Sequence, residues 1–522
     1  MRLFLAVPLL LLGAAPQDRL GPLDGANLID AHVSAGWTRE GLRPAPSADD
    51  PEFLRRVHLD ILGVIPSLDL VTRFLADKRA DRRARLVDEL LKDERYGRNW
   101  AEIWEALLIG YDYGLKGDTG DALLEWLRTD VFAKNLPYNE MFRRLVSAGG
   151  VPQVDGAAAF PWRFLRGGGG APELTTRVSR LFLGAQIQCA QCHDHPWDRW
   201  TQEDFHGVAA FFVRVRQRKL KPEDPRDKGV EIFDAPNGES QFGEGRSRRA
   251  VPPRFLDGEL PGKNEPRRAA FARLASRPEN PRFARALVNR YWGHFFGRGL
   301  VHPVEELNER NRPSHPELLD ALAAGFVRSG HDLKWLIRAV VTSRAYQLSS
   351  RRPRGVHAPA PHHFSYALTR AMSPEELFNS LIEASGSEER LRAAAKRSGG
   401  GRTVEAVKRE ILRQFRFTFG DDENSDMVEF HGTIPQALLM LNGELVQRSL
   451  LERDQRLDLI LRSETDPARR LELIFLSVLG RPPAGRERQR YGAHVAKLLD
   501  DRAAYEDVFW TLLNSSEFLF SH

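Results

Sequence analysis

The chain has 522 residues, 42% hydrophobic and 28% charged, with a formal net charge of +5. That length allows two or three domains with a large core, and the composition excludes a disordered, collagenous or coiled-coil chain. Basic and acidic residues interleave, as in Asp77-Lys78-Arg79-Ala80-Asp81-Arg82-Arg83, and no Lys/Arg block argues for a nucleic-acid partner.

Residues 1–15 read as a secretory signal: Arg2, an apolar run from Leu3 to Leu12, then Gly13, Ala14 and Ala15. The run is too short to span a bilayer, and no later stretch approaches about 18 apolar residues. The expectation is an exported protein, periplasmic or at the cell surface, with no transmembrane segment after signal cleavage. Asp49-Asp50-Pro51-Glu52 starts a helix with an acidic cap and proline at its first position. Phe53, Leu54, Val57 and Ile61 form its apolar stripe, and Gly63 ends it. A second helix runs through Leu86, Leu90 and Leu91. Trp100, Trp104 and Trp126 read as packing residues. Val151 to Gly170 reads as a flexible glycine-rich loop without a phosphate-binding pattern.

A helix carrying Val178, Leu181, Phe182 and Ala185 delivers the chain to Cys189. After that motif, Thr201 and Asp204 cap a helix with Phe205, Val208, Ala209 and Phe212 on one face. The two apolar faces are placed to wall a flat ligand. Residues 213–265 alternate in a strand pattern, with a hairpin signal at Asn237-Gly238. The domain boundary is expected at residues 250–265, where proline and glycine accumulate. Helices are then expected from the capping box Ser314-His315-Pro316-Glu317, from Asp332, from Ser373-Pro374 and from Asp466-Pro467, with a last one from about Ala503 to Phe518. The fold class is therefore mainly α: a first helical domain over 25–250, a second over 265–522, and a small antiparallel β excursion between them.

The two cysteines of the chain stand three apart with a histidine after them, Cys189-Ala190-Gln191-Cys192-His193. Chance gives that arrangement roughly one time in ten thousand. CxxCH is the pattern of covalent haem c attachment: Cys189 and Cys192 hold the vinyl edges by thioethers, and His193 is the proximal iron ligand. His206, on the following helix, is the candidate sixth ligand, with Met372, Met427 and Met440 as distant alternatives. His195 is too close in sequence to reach the opposite face, so it is assigned to contacts around the group. The alternative is zinc on Cys189, Cys192, His193 and His195, with Asp194 or Asp198 assisting. A dithiol redox centre lacks the βαβ setting it needs. A structural loop, in a surface binding or scaffold protein, is the remaining reading. His362-His363 reads as a surface loop or a metal contact. No GxSxG or HExxH motif occurs. The pair Glu305-Glu306 and the cluster Asp421-Asp422-Glu423 read as solvated or capping groups, so enzymatic activity is left open.

Longer motifs resemble a known family. In the first half these are Phe53-Leu-Arg-Arg-Val-His-Leu-Asp60-x-x-Gly63-x-x-Pro66, Asn135-Leu-Pro-Tyr138, Cys189 to Gln202, and Ala209-Ala-Phe-Phe212. In the second half they are Asn280 to Trp292, Phe295-Phe-Gly-Arg-Gly-Leu-Val301, Ser314 to Leu319, Ala345-Tyr-Gln-Leu-Ser-Ser350, Pro435-Gln-Ala-Leu438, Leu479-Gly-Arg-Pro-Pro483 and Asn514-Ser-Ser-Glu-Phe518. The chain resembles secreted planctomycete proteins that fuse domain of unknown function 1549 to domain of unknown function 1553. Many of these carry an additional N-terminal planctomycete cytochrome c domain with its own CxxCH, which this sequence is expected to lack. The resemblance implies a secreted protein of unestablished role, in which the internal motif alone carries any haem and the redox partner is unknown.

Overall fold

A computed structural model describes residues 22–110, 118–220, 229–243, 249–351, 359–397, 455–498 and 501–522, with a few positions between 404 and 412. The signal segment, Met427, Met440 and Asp421 to Glu423 lie outside the described residues. The fold is mainly α, with three two-stranded antiparallel sheets among the described residues. Among the described residues no helix is long and apolar enough to cross a membrane.

The helix Asp50–Leu62 is the strut around which both halves assemble. Asp49 caps it by accepting from the Glu52 amide at 3.0 Å, and Gly63 closes it in the left-handed region. Every residue from Glu52 to Leu62 is buried. Phe53, Leu54, Val57 and Ile61 enter one hydrophobic core, and Leu59 enters a second. The first core runs from Ile29 to Tyr366 with Leu476 added; the second takes Leu59, Ile65 and residues from Met372 to Phe518. The hydrophobic packing does not break at 250–265, because Phe142, Phe182 and Phe212 share one core with Phe271 and Phe283.

Charges within this buried helix are satisfied by distant chain. Arg55 donates to the carbonyls of Val478, Glu517 and Phe518, the last at 2.7 Å. Arg56 binds Glu52 and the carbonyls of Tyr346 and Leu348. Asp60 accepts from the Tyr346 hydroxyl and from Arg370, both at 2.7 Å. Arg370 also forks onto Glu376, with two contacts of 2.6 Å. Strand β5 (Arg370–Ala371) pairs with β6 (Phe520–Ser521), drawing the C-terminus into the same hub.

Aromatic packing joins the segment before the motif to the second half. Trp100 stacks on Tyr291 at 4.6 Å, and the Trp104 indole donates to the Tyr291 hydroxyl at 3.3 Å. Phe182 meets the rings of Trp104, Tyr138 and Phe142. That contact fixes the helix Gly170–Leu183, which leads into Cys189.

Several local expectations change. Residues 151–170 are not one flexible loop: Ala159–Arg166 is a helix, because Phe160 and Phe164 bury themselves in the core. Asn237-Gly238 closes no hairpin. β1 (Val215–Lys219) pairs with β2 (Val230–Asp234), while β3 (Ser240–Phe242) pairs with β4 (Arg249–Val251). The Asn237-Gly238 segment links the two pairs, with the Gly238 carbonyl accepting from Arg214 and Arg267. The helix Pro316–Arg328 has His315 at its cap position with no side-chain cap bond, since the Ser314 hydroxyl is spent on the Leu300 carbonyl. The last helix breaks after Leu513, where Ser515 caps a short turn Ser516–Leu519.

Candidate functional site

The CxxCH loop is placed by a sharp exit from the helix Gly170–Leu183. Gly184 is left-handed (φ 57°), and a Cβ there would lie 2.7 Å from Leu307. Leu307 also donates its amide to the Gly184 carbonyl. Ala185, Ile187 and Ala190 are buried and pin the segment to the core. Gln188–Gln191 forms a 3-10 turn, closed by the Cys192 amide on the Cys189 carbonyl. In such a turn side chains three apart eclipse each other. Cys189 and Cys192 therefore share one outward face; both are free thiols and both are exposed.

His193 follows on the same exposed surface. Its Nδ1 lies 2.8 Å from the Asp194 carbonyl. A carbonyl at Nδ1 holds the Nδ1–H tautomer and leaves Nε2 as the ligand atom, the usual arrangement behind a metal-bound imidazole. The loop then folds back on itself. His195 donates its amide to the Trp200 carbonyl at 2.8 Å, Gln202 donates to the Cys192 carbonyl at 2.7 Å, and the Gln202 amide donates to Asp194 at 2.8 Å. Trp200 is buried, with the guanidinium groups of Arg199 and Arg282 at 4.7 and 5.2 Å from its ring. Trp197 stands out at 70% exposure.

The two further histidines are engaged. His195 Nδ1 accepts from the amides of Trp197 and Asp198, at 3.2 and 2.9 Å. His206 places Nε2 at 3.2 Å from the Gln191 carbonyl and Nδ1 at 3.1 Å from the Ser240 hydroxyl, and stacks on Phe242 at 5.1 Å. Burial pushes the His206 pKa down, with the Gln191 carbonyl opposing. As placed, His206 ties the loop to the helix Gln202–Ala209, and an iron-ligating role requires it to release Gln191. Met372 is buried in the second core. Among the described residues no group of three or more His, Cys, Asp or Glu side chains converges to hold a metal ion.

One expectation is corrected. The apolar faces of the flanking helices do not wall a planar ligand. Val178, Leu181 and Phe182 on one side, and Phe205, Val208 and Phe212 on the other, are turned into the main core. Burying those faces in the core takes their apolar surface out of water. The donor set still fits covalent haem: two same-face thiols and an imidazole whose Nδ1 is already oriented.

Two family models match the chain, a protein of unknown function (DUF1549) over residues 28–217 and a protein of unknown function (DUF1553) over residues 267–495. The chain belongs to the family that carries these two domains in tandem. The gap between the matches is the β excursion. No curated protein and no solved structure matches the chain. The CxxCH loop lies wholly within the DUF1549 match.

The hub around Asp50–Leu62 joins the two matched domains; its charged residues were read only as part of a family motif, with no role assigned to them. The signal was there: Arg55, Arg56 and Asp60 interrupt an otherwise apolar helix. Glu305 also differs from its reading as a solvated group; Arg180 and Arg290 bind it at 2.7 and 2.9 Å, and burial is outweighed so that its pKa falls. His362 and His363 sit with rings 4.1 Å apart in a 3-10 turn, and the His363 carbonyl accepts from the Trp37 indole.

Proposed function

We propose that this DUF1549–DUF1553 chain is an exported c-type haem protein, holding haem through Cys189 and Cys192 with His193 as proximal ligand. It acts in electron transfer or haem-dependent oxidoreduction outside the cytoplasmic membrane. The observation that carries the reading is the 3-10 turn, which presents both free sulfurs on one exposed face beside an imidazole whose Nδ1 is held by the Asp194 carbonyl. The bound group supplies one-electron redox chemistry. The chain's own residues position it. Ala190 and Trp200 anchor the loop in the core, Gln202 holds the Cys192 carbonyl, and Asp194 fixes the tautomer of His193. Exposure of the loop suits an electron carrier, because exchange with a partner requires an accessible edge.

A zinc site on Cys189, Cys192, His193 and His195 draws less support, since His195 Nδ1 accepts two backbone amides. The purified chain, expressed with and without a cytochrome c maturation system, separates the readings by intact mass and metal analysis. Haem-sized added mass that appears only with maturation, and is lost in Cys189→Ala with Cys192→Ala, supports the proposal. Stoichiometric zinc without haem supports the metal alternative. Neither group bound under both conditions leaves a surface scaffold with a structural loop, and overturns the proposal.

A further inference from the structure

A cleft of about 190 Å³ opens far from the cysteines in sequence, against the roughly 10–15 Å³ that one water needs. Arg298, Ser350, Pro361, Tyr366 and Thr369 are among its lining residues. Two of the long motifs meet there. Arg298 is the arginine of Phe295-Phe-Gly-Arg-Gly-Leu-Val301, and Ser350 is the last residue of Ala345-Tyr-Gln-Leu-Ser-Ser350.

The arginine is set by its neighbours. Gly297 ends the helix Pro281–Phe296 in the left-handed region (φ 70°). A Cβ on Gly299 would fall 2.3 Å from the Val301 carbonyl oxygen, so no larger residue fits there. Ser350 is fixed by its amide, which donates to Glu52 at 2.6 Å, and Ala367 donates its amide to the Ser349 carbonyl at 3.2 Å. The cleft is therefore built on anchored backbone from three segments.

Its charge is unmatched among the described residues. Arg298 is half-buried and has no hydrogen-bond or ion-pair partner among the described residues. The nearby arginines of the interior are paired, Arg290 with Glu305 and Arg370 with Asp60 and Glu376. Glu52, the carboxylate behind Ser350, is spent on Arg56, Ser349 and the Ser350 amide. Of the described residues that flank it, Arg351 pairs with Asp49 at 3.5 Å, and burial, His363 and Arg298 lower the His362 pKa against Glu40. A guanidinium offers five donors in a planar fork that matches an oxyanion in two parallel hydrogen bonds.

We propose that this cleft is a binding site for an oxyanion, a sulfate or phosphate group, held by Arg298 with hydroxyl-bearing side chains of the wall beside it. The site is independent of the CxxCH loop. Isothermal titration of the full chain with inorganic sulfate and with inorganic phosphate, at constant ionic strength with chloride as the background, tests it. Saturable binding of one anion per chain is expected, weakened at least tenfold in Arg298→Gln and less in Arg298→Lys, which keeps the charge but loses the fork. Circular dichroism melts establish that both variants remain folded. A preference between the two anions assigns the source as a sulfate or a phosphate ester. Failure of both anions to bind the wild-type chain overturns the proposal. So does unchanged affinity in Arg298→Gln, including the case where Arg351→Gln, Arg352→Gln and Arg354→Gln together abolish binding.

Discussion

Arg370 stands between two carboxylates that see almost no water: the side chains of Asp60 and Glu376 are 2% and 7% exposed. Three contacts of 2.6–2.7 Å hold the guanidinium. Burial pushes the Arg370 pKa down, but Glu376 and Asp60 more than reverse that. Burial likewise pushes Glu376 up, and Arg370 overrides it to leave the carboxyl below its ordinary value. Arg370→Met keeps most of the side-chain length and removes the charge. Two buried carboxylates then lose their common partner, a change that costs about 3–5 kcal/mol. The exposed pair Glu125–Arg128 is the control, and Arg128→Met there is expected to cost only about 0.5 kcal/mol. Urea unfolding followed by circular dichroism reads both. The sign with pH is also set. A carboxyl with a lowered folded pKa stabilises above its ordinary value, near 4.5, and that contribution is lost as pH falls through the folded value. The difference between wild type and Arg370→Met is therefore expected to shrink in acid. An Arg370→Met unfolding free energy within about 1 kcal/mol of wild type at pH 7 refutes the claim that this hub holds the two domains together.

Burial, then the cations and histidines around it, lowers the His315 pKa to about 4, and burial with Arg143 lowers His331 to about 4. Between their ordinary value of 6.5 and about 4 the unfolded chain takes up protons that these folded histidines refuse, so stability falls as pH drops through that window. His315→Gln should flatten the fall measured by urea midpoints at pH 7 and pH values near 5, and an unaltered slope counts against the assignment. Phe182→Ala removes a fully buried ring that meets Trp104, Tyr138 and Phe142, and should cost about 3–5 kcal/mol in a denaturant titration. Gly184→Val forces a β-branched residue into a left-handed position against Leu307 and should cost about 1–3 kcal/mol, with faster proteolysis of the CxxCH loop as a second readout. A stable, protease-resistant variant would show that this exit turn does not fix the loop.

What the sequence made legible was local. Asp49, Thr201, Asp332, Ser373 and Asp466 all cap helices as their spacing indicates, because a cap bond spans only two or three residues. The CxxCH spacing falls on a short 3-10 turn that leaves both thiols exposed. Long-range choices were not legible. Asn237-Gly238 has hairpin chemistry, yet Val215 to Lys219 supplies the partner for Val230 to Asp234, and two arginines hold the Gly238 carbonyl between β2 and β3. Amphipathic stripes announced the helices around Cys189 without saying that both would face the same core. The charges of Asp50–Leu62 depend on partners hundreds of residues away. His206 read as the candidate sixth ligand, and its two engagements, with Gln191 and Ser240, arise from the fold-back of the loop and the arrival of β3.

The central claim is that Cys189 and Cys192 hold a porphyrin with His193 on its iron. Its most direct test is a pyridine haemochrome spectrum of the full chain, produced with the cytochrome c maturation machinery and then extracted with acidified acetone. A c-type band that stays with the polypeptide at one haem per chain, and vanishes in Cys189→Ala with Cys192→Ala, is the expected result. A colourless polypeptide whose two thiols both titrate as free would contradict it.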